Sequence, residues 1–499
     1  MKKRKLKFQD IVIAGLSGAI GFEVFALLNY AYFNLAGSNI IYAILIAGAM
    51  NLLIMLSYCE LSAAIPEVGG EYTYIKTAFG KYVAFMAGCF RWLASVFGAA
   101  LAALTFAVQF TYLTALFFPN TQNLTPQQTS LIATIVVIAY AVADIRGTRK
   151  FENITTIILI ILFAILIIGG LGYTTKLTEP QPATNDSFLG VFAAMVYVFP
   201  MFFGVRSIIT LATTTENPEK NIPRGLLTAS ILIIPLYALL AYVTITVAPQ
   251  QITNPSMPLI GHGAEIIFGK AGGALFAIMG MAACLLGLGT ALTVESSIEV
   301  GMSRDGYFPK MLLKVHPRFG TYYIAVIVGA VVIAVIAAIG AIPIVGYAAS
   351  FGSLIVFALV NLSLIKLRKT KPHLDRPFKT PLYPFIPVLG STLSIVLLVV
   401  PLIIGDANAV EALISSGGLI LAVTGIYYLR IIGRLRLQVA IGGIGVGSGI
   451  SAAILAVVSE AGLVQAIFPF MPNCVLLVIG IILIVGGVLN INAGAISHC

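Results

Sequence analysis

Charged side chains are scarce in this sequence. Only 10% of its 499 residues are Asp, Glu, Lys or Arg, whereas 59% are hydrophobic. Soluble proteins average about 25% charged residues, so a chain with so few of them cannot cover several soluble domains with a surface suited to water. Lipid is therefore the expected solvent for most of the surface.

Motifs of metal binding and catalysis are also missing. The five cysteines, Cys59, Cys89, Cys284, Cys474 and Cys499, include no CxxC pair, which argues against a zinc site and against a disulfide framework. The sequence has no HExxH helix, no Walker A lysine loop, no hydrolase elbow and no dinucleotide-binding glycine pattern between a strand and a helix. It therefore predicts no metal, no cofactor and no enzymatic activity.

Long apolar runs recur from one end of the chain to the other. A helix needs roughly 20 apolar residues to cross a hydrocarbon core of about 30 Å. The sequence predicts fourteen membrane spans, numbered 1 to 14, at residues 11–33, 40–64, 83–118, 130–143, 154–172, 188–211, 226–247, 274–300, 323–339, 344–365, 385–404, 413–428, 439–458 and 474–489. The expected fold class is an all-α polytopic membrane protein.

The net charge of +10 follows the predicted spans. Lys and Arg occupy the N-terminal tail and the loops after spans 2, 4, 6, 8, 10 and 12, while the opposite loops hold only Lys176 and Lys270. Cytoplasmic loops of membrane proteins carry such an excess of basic residues. We therefore predict a multi-pass protein of the cell membrane with both termini in the cytoplasm, and no nucleic-acid partner.

Two predicted spans carry helix-breaking residues at matching positions. Span 1 contains Gly18 and Gly21 ahead of Glu23, and span 6 contains Pro200 ahead of Arg206. Five spans separate their starts, as expected for an inverted repeat whose interrupted helices form a binding site. The alternative is that the glycines merely let helices pack closely. The predicted segments are a cytoplasmic tail at 1–10, a first repeat at 11–180, a second repeat at 181–367 and C-terminal helices at 368–499.

Five short motifs, in order along the chain, resemble those of a known family. They are GAIGFEVF at 18–25, ELSAAIPEVGGEY at 60–72, ENPEKNIPR at 216–224, RDGYFPK at 304–310 and RPFKTP at 376–381. Together they resemble the amino acid-polyamine-organocation (APC) superfamily of secondary transporters. The resemblance implies a five-plus-five inverted-repeat core with broken helices 1 and 6, which works by alternating access.

The resemblance also implies where a solute binds. In the family, the interrupted backbone of the first helix receives the substrate carboxylate, since a helix N-terminus favours an anion, and carbonyl groups of the sixth helix meet the ammonium. The residues carried over to this chain are Gly18, Ala19, Ile20, Gly21, Phe22 and Glu23 in span 1 and Phe202, Phe203, Gly204 and Arg206 in span 6.

Two of these residues depart from the family pattern. Glu23 stands at the last glycine of the pattern GxIGxGIF, and Arg206 stands where span 6 usually has a glutamate. An unpaired charge at bilayer depth is costly. We therefore predict that Glu23 and Arg206 pair with each other or line the site together; the alternative is that a cavity solvates each one separately.

The coupling ion is less directly encoded. The lysine that the resemblance implies in span 5 as a proton carrier is absent, which leaves Glu23, Glu295 and Ser296 as coupling candidates for H⁺ or Na⁺. Glu295 and Glu299 share a face of span 8 because they lie four residues apart. Glu299 is expected to be solvated near the cytoplasmic end of this span.

The resulting functional prediction is a secondary active permease for amino acids, with proton coupling favoured. Transport or exchange of amines or polyamines is the alternative, favoured if Glu23 recognises an ammonium while another partner neutralises Arg206. A channel or a substrate sensor on the same fold is the alternative of another class. The expected partners are a small-molecule substrate, the coupling ion and the lipid bilayer.

Overall fold

The computed structural model describes residues 5–66, 70–118, 125–145, 152–174, 188–247 and 258–418, with residues 449, 481 and 484–486. Within these segments the regular structure is helical, apart from an isolated bridge between Leu6 and Thr215. The helices are α1 (Phe8–Ala19), α2 (Glu23–Tyr30), α3 (Ile40–Ala64), α4 (Glu71–Phe79), α5 (Lys81–Phe117), α6 (Pro126–Ile145), α7 (Glu152–Thr174), α8 (Phe188–Val198), α9 (Pro218–Val247), α10 (Leu259–Arg304), α11 (Tyr323–Ile339), α12 (Ile342–Thr370), α13 (Phe385–Ile404) and α14 (407–418).

Eight of the described helical stretches are long and apolar enough to cross a membrane. The first of them joins α2 to α3 through a π-type turn at Ala31–Ala36 and a 3₁₀ turn at Gly37–Asn39. Three further apolar helices, including α1 and α11, are shorter. These helices cover predicted spans 1 to 11, whereas spans 12 to 14 lie largely outside the described residues. The count of fourteen and the inverted repeat therefore stay predictions.

Span 1 is interrupted where the sequence predicts it. α1 ends at Ala19 and α2 begins at Glu23, and Ile20 has the non-helical dihedral angles φ −78° and ψ 86°. Gly21 lies in this gap. Glycine disfavours a helix because it loses more conformational freedom on folding than any other residue. The last carbonyl groups of α1 and the first N–H groups of α2 consequently lack intrahelical partners.

Span 6 changes its helix type and does not unwind. α8 ends at Val198, and a 3₁₀ helix continues over Phe199–Thr214. Pro200 lies at the start of this second helix, where its ring and its missing N–H disrupt α-helical bonding to the preceding turn. At 16 residues it far exceeds the usual 3₁₀ run of about 3–4 residues. The break expected in span 6 is therefore a tightened helix.

Two contacts join the predicted cytoplasmic segments at one end of the bundle. The Leu6 N–H donates to the Thr214 carbonyl at 2.9 Å, and the Glu216 N–H donates to the Leu6 carbonyl at 2.9 Å. Lys76 lies 2.9 Å from Asp305, in the loop after α10. Partial burial opposes ionisation of Asp305, but the hydrogen bonds that it accepts outweigh this effect and lower its pKa below the usual value.

Glu60 forms a third connection at the same end. Its buried carboxylate accepts hydrogen bonds from Arg368 at 2.8 and 2.6 Å and from the Thr380 N–H at 2.7 Å. Arg376 of the motif at 376–381 adds an ion pair at 3.4 Å. These bonds give Glu60 a structural role, because they hold α3 to the end of α12 and to the loop after it.

Candidate functional site

The two interrupted spans cross each other at their glycines. α1 packs along the 3₁₀ helix Phe199–Thr214. The backbone of Gly18 meets the backbone of Gly204 so closely that neither residue has room for a side chain: a Cβ on Gly204 would overlap the Gly18 carbonyl group. The structure thus brings two of the predicted site residues, Gly18 of span 1 and Gly204 of span 6, together at one crossing.

The gap in span 1 is enclosed by α9 and α10. Tyr237 of α9 donates its hydroxyl hydrogen to the Ala19 carbonyl oxygen at 2.5 Å, so this carbonyl group already has a partner. On the other side, the ring of Phe22 lies against Gly287 of α10, where a Cβ would overlap it. Ile20 and Phe22 are both buried. The gap is therefore an interior feature of the bundle.

Glu23 is the first residue of α2 and keeps its carboxyl group inside the protein. Its Oε2 atom lies against Gly21 and has no hydrogen-bond partner. Tyr237 and Cys284 are close enough to interact with it electrostatically. A helix N-terminus favours negative charge. Glu23 thus holds its own carboxylate at the helix end where the resemblance implies a substrate carboxylate.

Arg206 pairs with Glu71, so the predicted pair of Glu23 with Arg206 is wrong. The Nη1 atom of Arg206 lies 3.2 Å from Glu71 Oε1, and its Nη2 atom lies 3.3 Å from Ser353 Oγ. Gly204 faces α1, and residues two positions apart on a helix do not share a face. The side chain of Arg206 consequently points away from the crossing.

Glu71, Arg206, Arg91 and Tyr58 form a largely buried group that we name the Glu71 cluster. Arg91 Nε lies 3.3 Å from Glu71 Oε2, and the Tyr58 hydroxyl donates to Glu71 Oε1 at 2.8 Å. Two guanidinium groups therefore share one carboxylate, and the Nε atom of Arg206 has no partner. The cluster ties α3, α4 and α5 to the second half of span 6.

Glu71 and Arg91 receive no role from sequence reasoning alone. Arg91 lies within predicted span 3, and an ionisable residue at such a depth is a signal of function. Glu71 stands in the motif at 60–72, beside a predicted loop. The depth of Arg91 within a predicted span could have identified it as a functional candidate. Only the packing of α4 against α5 shows that its partner is Glu71.

Phe202 and Phe203 have different neighbours. The ring of Phe202 lies 5.9 Å from the ring of Tyr237, beside the gap in span 1. Phe203 packs on Phe357 with ring centroids 5.4 Å apart, and its ring lies 5.0 Å from the guanidinium carbon of Arg206. Phe202 therefore belongs to the crossing, and Phe203 belongs beside the Glu71 cluster.

Three tyrosines pack against one another near the end of the bundle opposite the basic loops, and we name them the tyrosine closure. The rings of Tyr30, Tyr197 and Tyr347 follow one another with centroids 4.9 and 5.0 Å apart. Tyr347 donates to Asp406 Oδ2 at 2.7 Å. The Asn408 amide donates to the Tyr30 hydroxyl oxygen at 2.8 Å. Asp406, just before α14, and Asn408, in its first turn, thus hold the two outer members of the closure.

Glu295 and Glu299 are both buried in α10, so the expectation that Glu299 is solvated is wrong. Trp92 of α5 donates its indole N–H to Glu299 Oε1 at 3.0 Å. Ser296 donates its hydroxyl hydrogen to the Thr293 carbonyl oxygen of its own helix at 3.2 Å. The coupling roles of Glu295 and Ser296 stay predictions, as does that of Glu23.

Sequence comparison finds relatives over most of the chain. The methylthioribose transporter of Bacillus subtilis is 25% identical over 405 residues, which cover 78% of this chain and 86% of that protein. The branched-chain amino acid permease BcaP of the same organism is 26% identical over the same shares. Cationic amino acid transporter 5 of Arabidopsis thaliana is 27% identical over 384 residues, covering 73% of this chain and 65% of that protein. The family profile described as amino acid permease matches residues 6–429, and this protein, whose apolar helices are those of a membrane protein, therefore belongs to the amino acid permease family.

Proposed function

We propose that this protein is a secondary active transporter that carries amino acids across the cell membrane by alternating access, with protons as the coupling ion. The solute would bind where span 1 crosses span 6. The observation that carries this proposal is a buried polar atom without a partner beside the crossing, the Oε2 atom of Glu23. Such an atom costs free energy unless a ligand completes its hydrogen bonds. The relatives named for branched-chain and cationic amino acids support amino acids as the substrate class.

Different groups would meet the two ends of an amino acid. The Glu23 carboxylate would accept a charge-assisted hydrogen bond from the solute ammonium. The N–H groups of Gly21 and Phe22, in the gap ahead of α2, would donate to the solute carboxylate. Phe22 and Phe202, which flank the gap, would contact the solute side chain. Arg206 would act at a distance, by fixing the 3₁₀ helix to α4 through Glu71.

Two contacts favour a second candidate, the transport or exchange of amines or polyamines that lack a carboxylate. Arg206 is already paired with Glu71 at 3.2 Å. The N-terminus of α2 already carries the side chain of Glu23. Both groups that could attract a solute carboxylate are therefore occupied by a carboxylate of the protein. A solute with ammonium groups alone would meet Glu23 without competing for either position.

Uptake into proteoliposomes tests both candidates. The panel is radiolabelled leucine, arginine and putrescine, each offered with an imposed pH gradient, a sodium gradient or no gradient. Saturable uptake of leucine or arginine that the pH gradient drives supports the amino acid permease. Uptake of putrescine alone supports the second candidate. Flux that does not saturate indicates a channel, and binding without flux indicates a sensor; either result contradicts the proposal.

Glu23→Gln is the variant that tests the site, because it keeps the size of the side chain and removes its charge. A hydrogen bond to a charged group contributes about 1.5–3 kcal/mol, so the apparent affinity is expected to fall roughly 10- to 100-fold. Glu265→Gln is the control, since Glu265 bonds to Tyr112 at 2.7 Å in the part of α10 before the bend at Gly269. Equal affinity in Glu23→Gln and the wild type would contradict the site.

A further inference from the structure

Glu295 and Glu299 place two carboxyl groups on one face of α10, because residues four apart on a helix are neighbours. Only 1% of Glu295 and 2% of Glu299 is exposed. Both oxygen atoms of Glu295 and the Oε2 atom of Glu299 lack hydrogen-bond partners. The remaining oxygen, Glu299 Oε1, accepts the indole N–H of Trp92 at 3.0 Å. Three of the four carboxyl oxygens of this pair are thus buried without a hydrogen-bond partner among the described residues.

Among the residues that the structure describes, none is recorded as an ion-pair partner of either carboxyl group. Glu295 points at Gly329 of α11, where a Cβ would overlap its carboxyl group, and α11 contains no Asp, Glu, Lys, Arg or His. On α5, the charged residue nearest in sequence to Trp92 is Arg91, and Arg91 is paired with Glu71. Other titratable groups on the helices that pack against α10 include Glu23 of α2, Cys89 of α5, Tyr140 and Asp144 of α6, Tyr237 of α9 and Tyr323 of α11.

A proton is the ligand that fits this pair best. Two neighbouring carboxylates that are both ionised repel each other, and burial without a partner adds to the cost. A bound proton removes one charge and lets one carboxyl group donate. A divalent metal ion would need about six or more oxygen ligands, and among the described residues no three His, Cys, Asp or Glu side chains converge to hold one.

We propose that Glu295 and Glu299, with Trp92 as a fixed donor, form the proton-binding site of this transporter. The inference rests on the proposed function in one respect, namely that the bound proton is the coupling ion. One proton binds to the pair when it is open to one side of the membrane and leaves to the other side. Glu299 lies five residues, about 7.5 Å of helix, before the end of α10 at Arg304, which provides a short route to the predicted cytoplasmic side.

Two short connections link this pair to the crossing. Trp92 follows Arg91 directly on α5, and Arg91 pairs with Glu71, the partner of Arg206. A change in the charge of Glu299 therefore acts on the same turn of α5 that holds the Glu71 cluster. On α10 itself, Gly287 contacts Phe22 two helical turns before Glu295.

Fluorescence offers a test that needs no substrate. Trp92 is the only tryptophan in the sequence, so emission excited selectively from tryptophan comes from the one indole that is bonded to the Glu299 carboxyl group. In purified wild-type protein we expect the emission to change in one step as the pH is raised from mildly acidic to alkaline. Glu299→Gln keeps an acceptor for the indole N–H but cannot ionise, and is expected to abolish the step. Glu295→Gln is expected to change its midpoint.

The control for this titration is Glu265→Gln, which alters a glutamate bonded to Tyr112 and should leave the curve unchanged. A flat curve in the wild type would overturn the proposal. A step that persists unchanged in both Glu295→Gln and Glu299→Gln would overturn it as well, because some other group would then be responsible.

Transport separates proton coupling from structural damage. A pH difference of about one unit sustains about tenfold accumulation by a carrier that moves one proton per solute. Glu295→Gln and Glu299→Gln are expected to lose this accumulation of leucine, arginine or putrescine in proteoliposomes while still exchanging internal for external solute. Equal loss of accumulation and exchange would contradict the coupling role. If the wild type moves none of the three solutes, the proposed function fails, and the fluorescence titration still decides whether the pair binds a proton.

Discussion

At the scale of single residues, Glu71 governs the environment of Arg206. Its carboxylate is 3.2 Å from Arg206 and 3.3 Å from Arg91, and Tyr58 adds a hydrogen bond at 2.8 Å. A buried ion pair adds little stability compared with apolar residues of the same shape, but removing one partner is strongly destabilising because the other charge is left unpaired. Glu71 is therefore needed to neutralise the buried charge of Arg206.

Glu71→Gln is expected to reduce both stability and transport. The amide can still accept a hydrogen bond from Tyr58, but Arg206 and Arg91 lose their counter-charge. The free energy of unfolding should fall by about 3–5 kcal/mol, the usual cost of breaking a buried pair. Thermal unfolding of the purified protein in detergent measures stability, and uptake per folded molecule measures transport.

Glu60→Gln is the matched comparison for this variant. Glu60 is also a buried glutamate, bonded to Arg368 and to the Thr380 N–H, but its partners lie at the end of the bundle and not on an interrupted helix. It should destabilise the protein to a similar degree while uptake per folded molecule stays near the wild-type value. Similar uptake by both variants would contradict the role assigned to Glu71.

At the scale of helices, the crossing of span 1 and span 6 depends on the absence of side chains. A backbone carbonyl group cannot rotate away as the tip of a flexible side chain can, so overpacking here must displace a whole helix. A side chain added at either glycine would therefore change the spacing between α1 and the whole 3₁₀ helix Phe199–Thr214.

Gly18→Ala tests this close contact. The added methyl group would meet the Gly204 carbonyl, at a cost of about 1–3 kcal/mol for overpacking, and uptake should fall strongly while the protein still folds. Gly98→Ala is the control, because a Cβ at this position in α5 has nothing within 4 Å. Unchanged uptake by Gly18→Ala would show that the two helices lie further apart in the working protein.

The tyrosine closure leads to a prediction about access to the site. Tyr347→Phe removes the hydrogen bond to Asp406, worth about 1 kcal/mol, and should open that end of the bundle about fivefold more often. Cys284, a buried thiol beside Glu23, serves as the reporter. Its labelling rate by an external maleimide is measured after replacing the other four cysteines with serine.

The expected result is a labelling rate about fivefold higher, in proportion to the open population. Tyr242→Phe is the control, since Tyr242 lies on an exposed face of α9. Equal rates in Tyr347→Phe and Tyr242→Phe would mean that the closure does not limit access.

At the scale of the whole molecule, contacts between distant segments support the charge rule. The tail at Leu6 bonds to the loop after span 6, Lys76 bonds to Asp305 in the loop after span 8, and Glu60 bonds to the loop after span 10. All of these segments are among the tail and loops that carry the excess of Lys and Arg. These contacts are the ones expected if the segments share one side of the membrane, and the excess of Lys and Arg predicts that this side is the cytoplasm.

A cleavable tag at the N-terminus tests this orientation. In sealed right-side-out vesicles the tag should resist an added protease, and in inside-out vesicles it should be removed, since the tail is expected to face the cytoplasm. A cleavage site placed in the loop after α10 should be cut in the same vesicles as the N-terminal tag. This loop holds Asp305, which is bonded to Lys76 of the loop after span 2. Cleavage of the N-terminal tag in right-side-out vesicles would reverse the assignment.

The sequence by itself determined the class of the protein and the position of its first break. Apolar runs specify membrane helices because each helix satisfies its own backbone and needs only a lipid-compatible surface. Gly18 and Gly21 predicted the gap in span 1, and Pro200 predicted a change in span 6, because each acts through its own local backbone. The family resemblance assigned the binding site to these two spans, and the structure shows that they pack against each other.

Only the tertiary structure decided which side chains meet. Arg206 is paired with Glu71, 135 positions away in sequence, and not with Glu23, because the direction of a side chain on one helix and the neighbour that it finds depend on the packing of several others. Glu299 is buried for the same reason, since Trp92 of α5 packs on it although the sequence places it near a helix end. Local preferences predict helices and their interruptions, whereas the pairing of buried charges is a property of the assembled bundle.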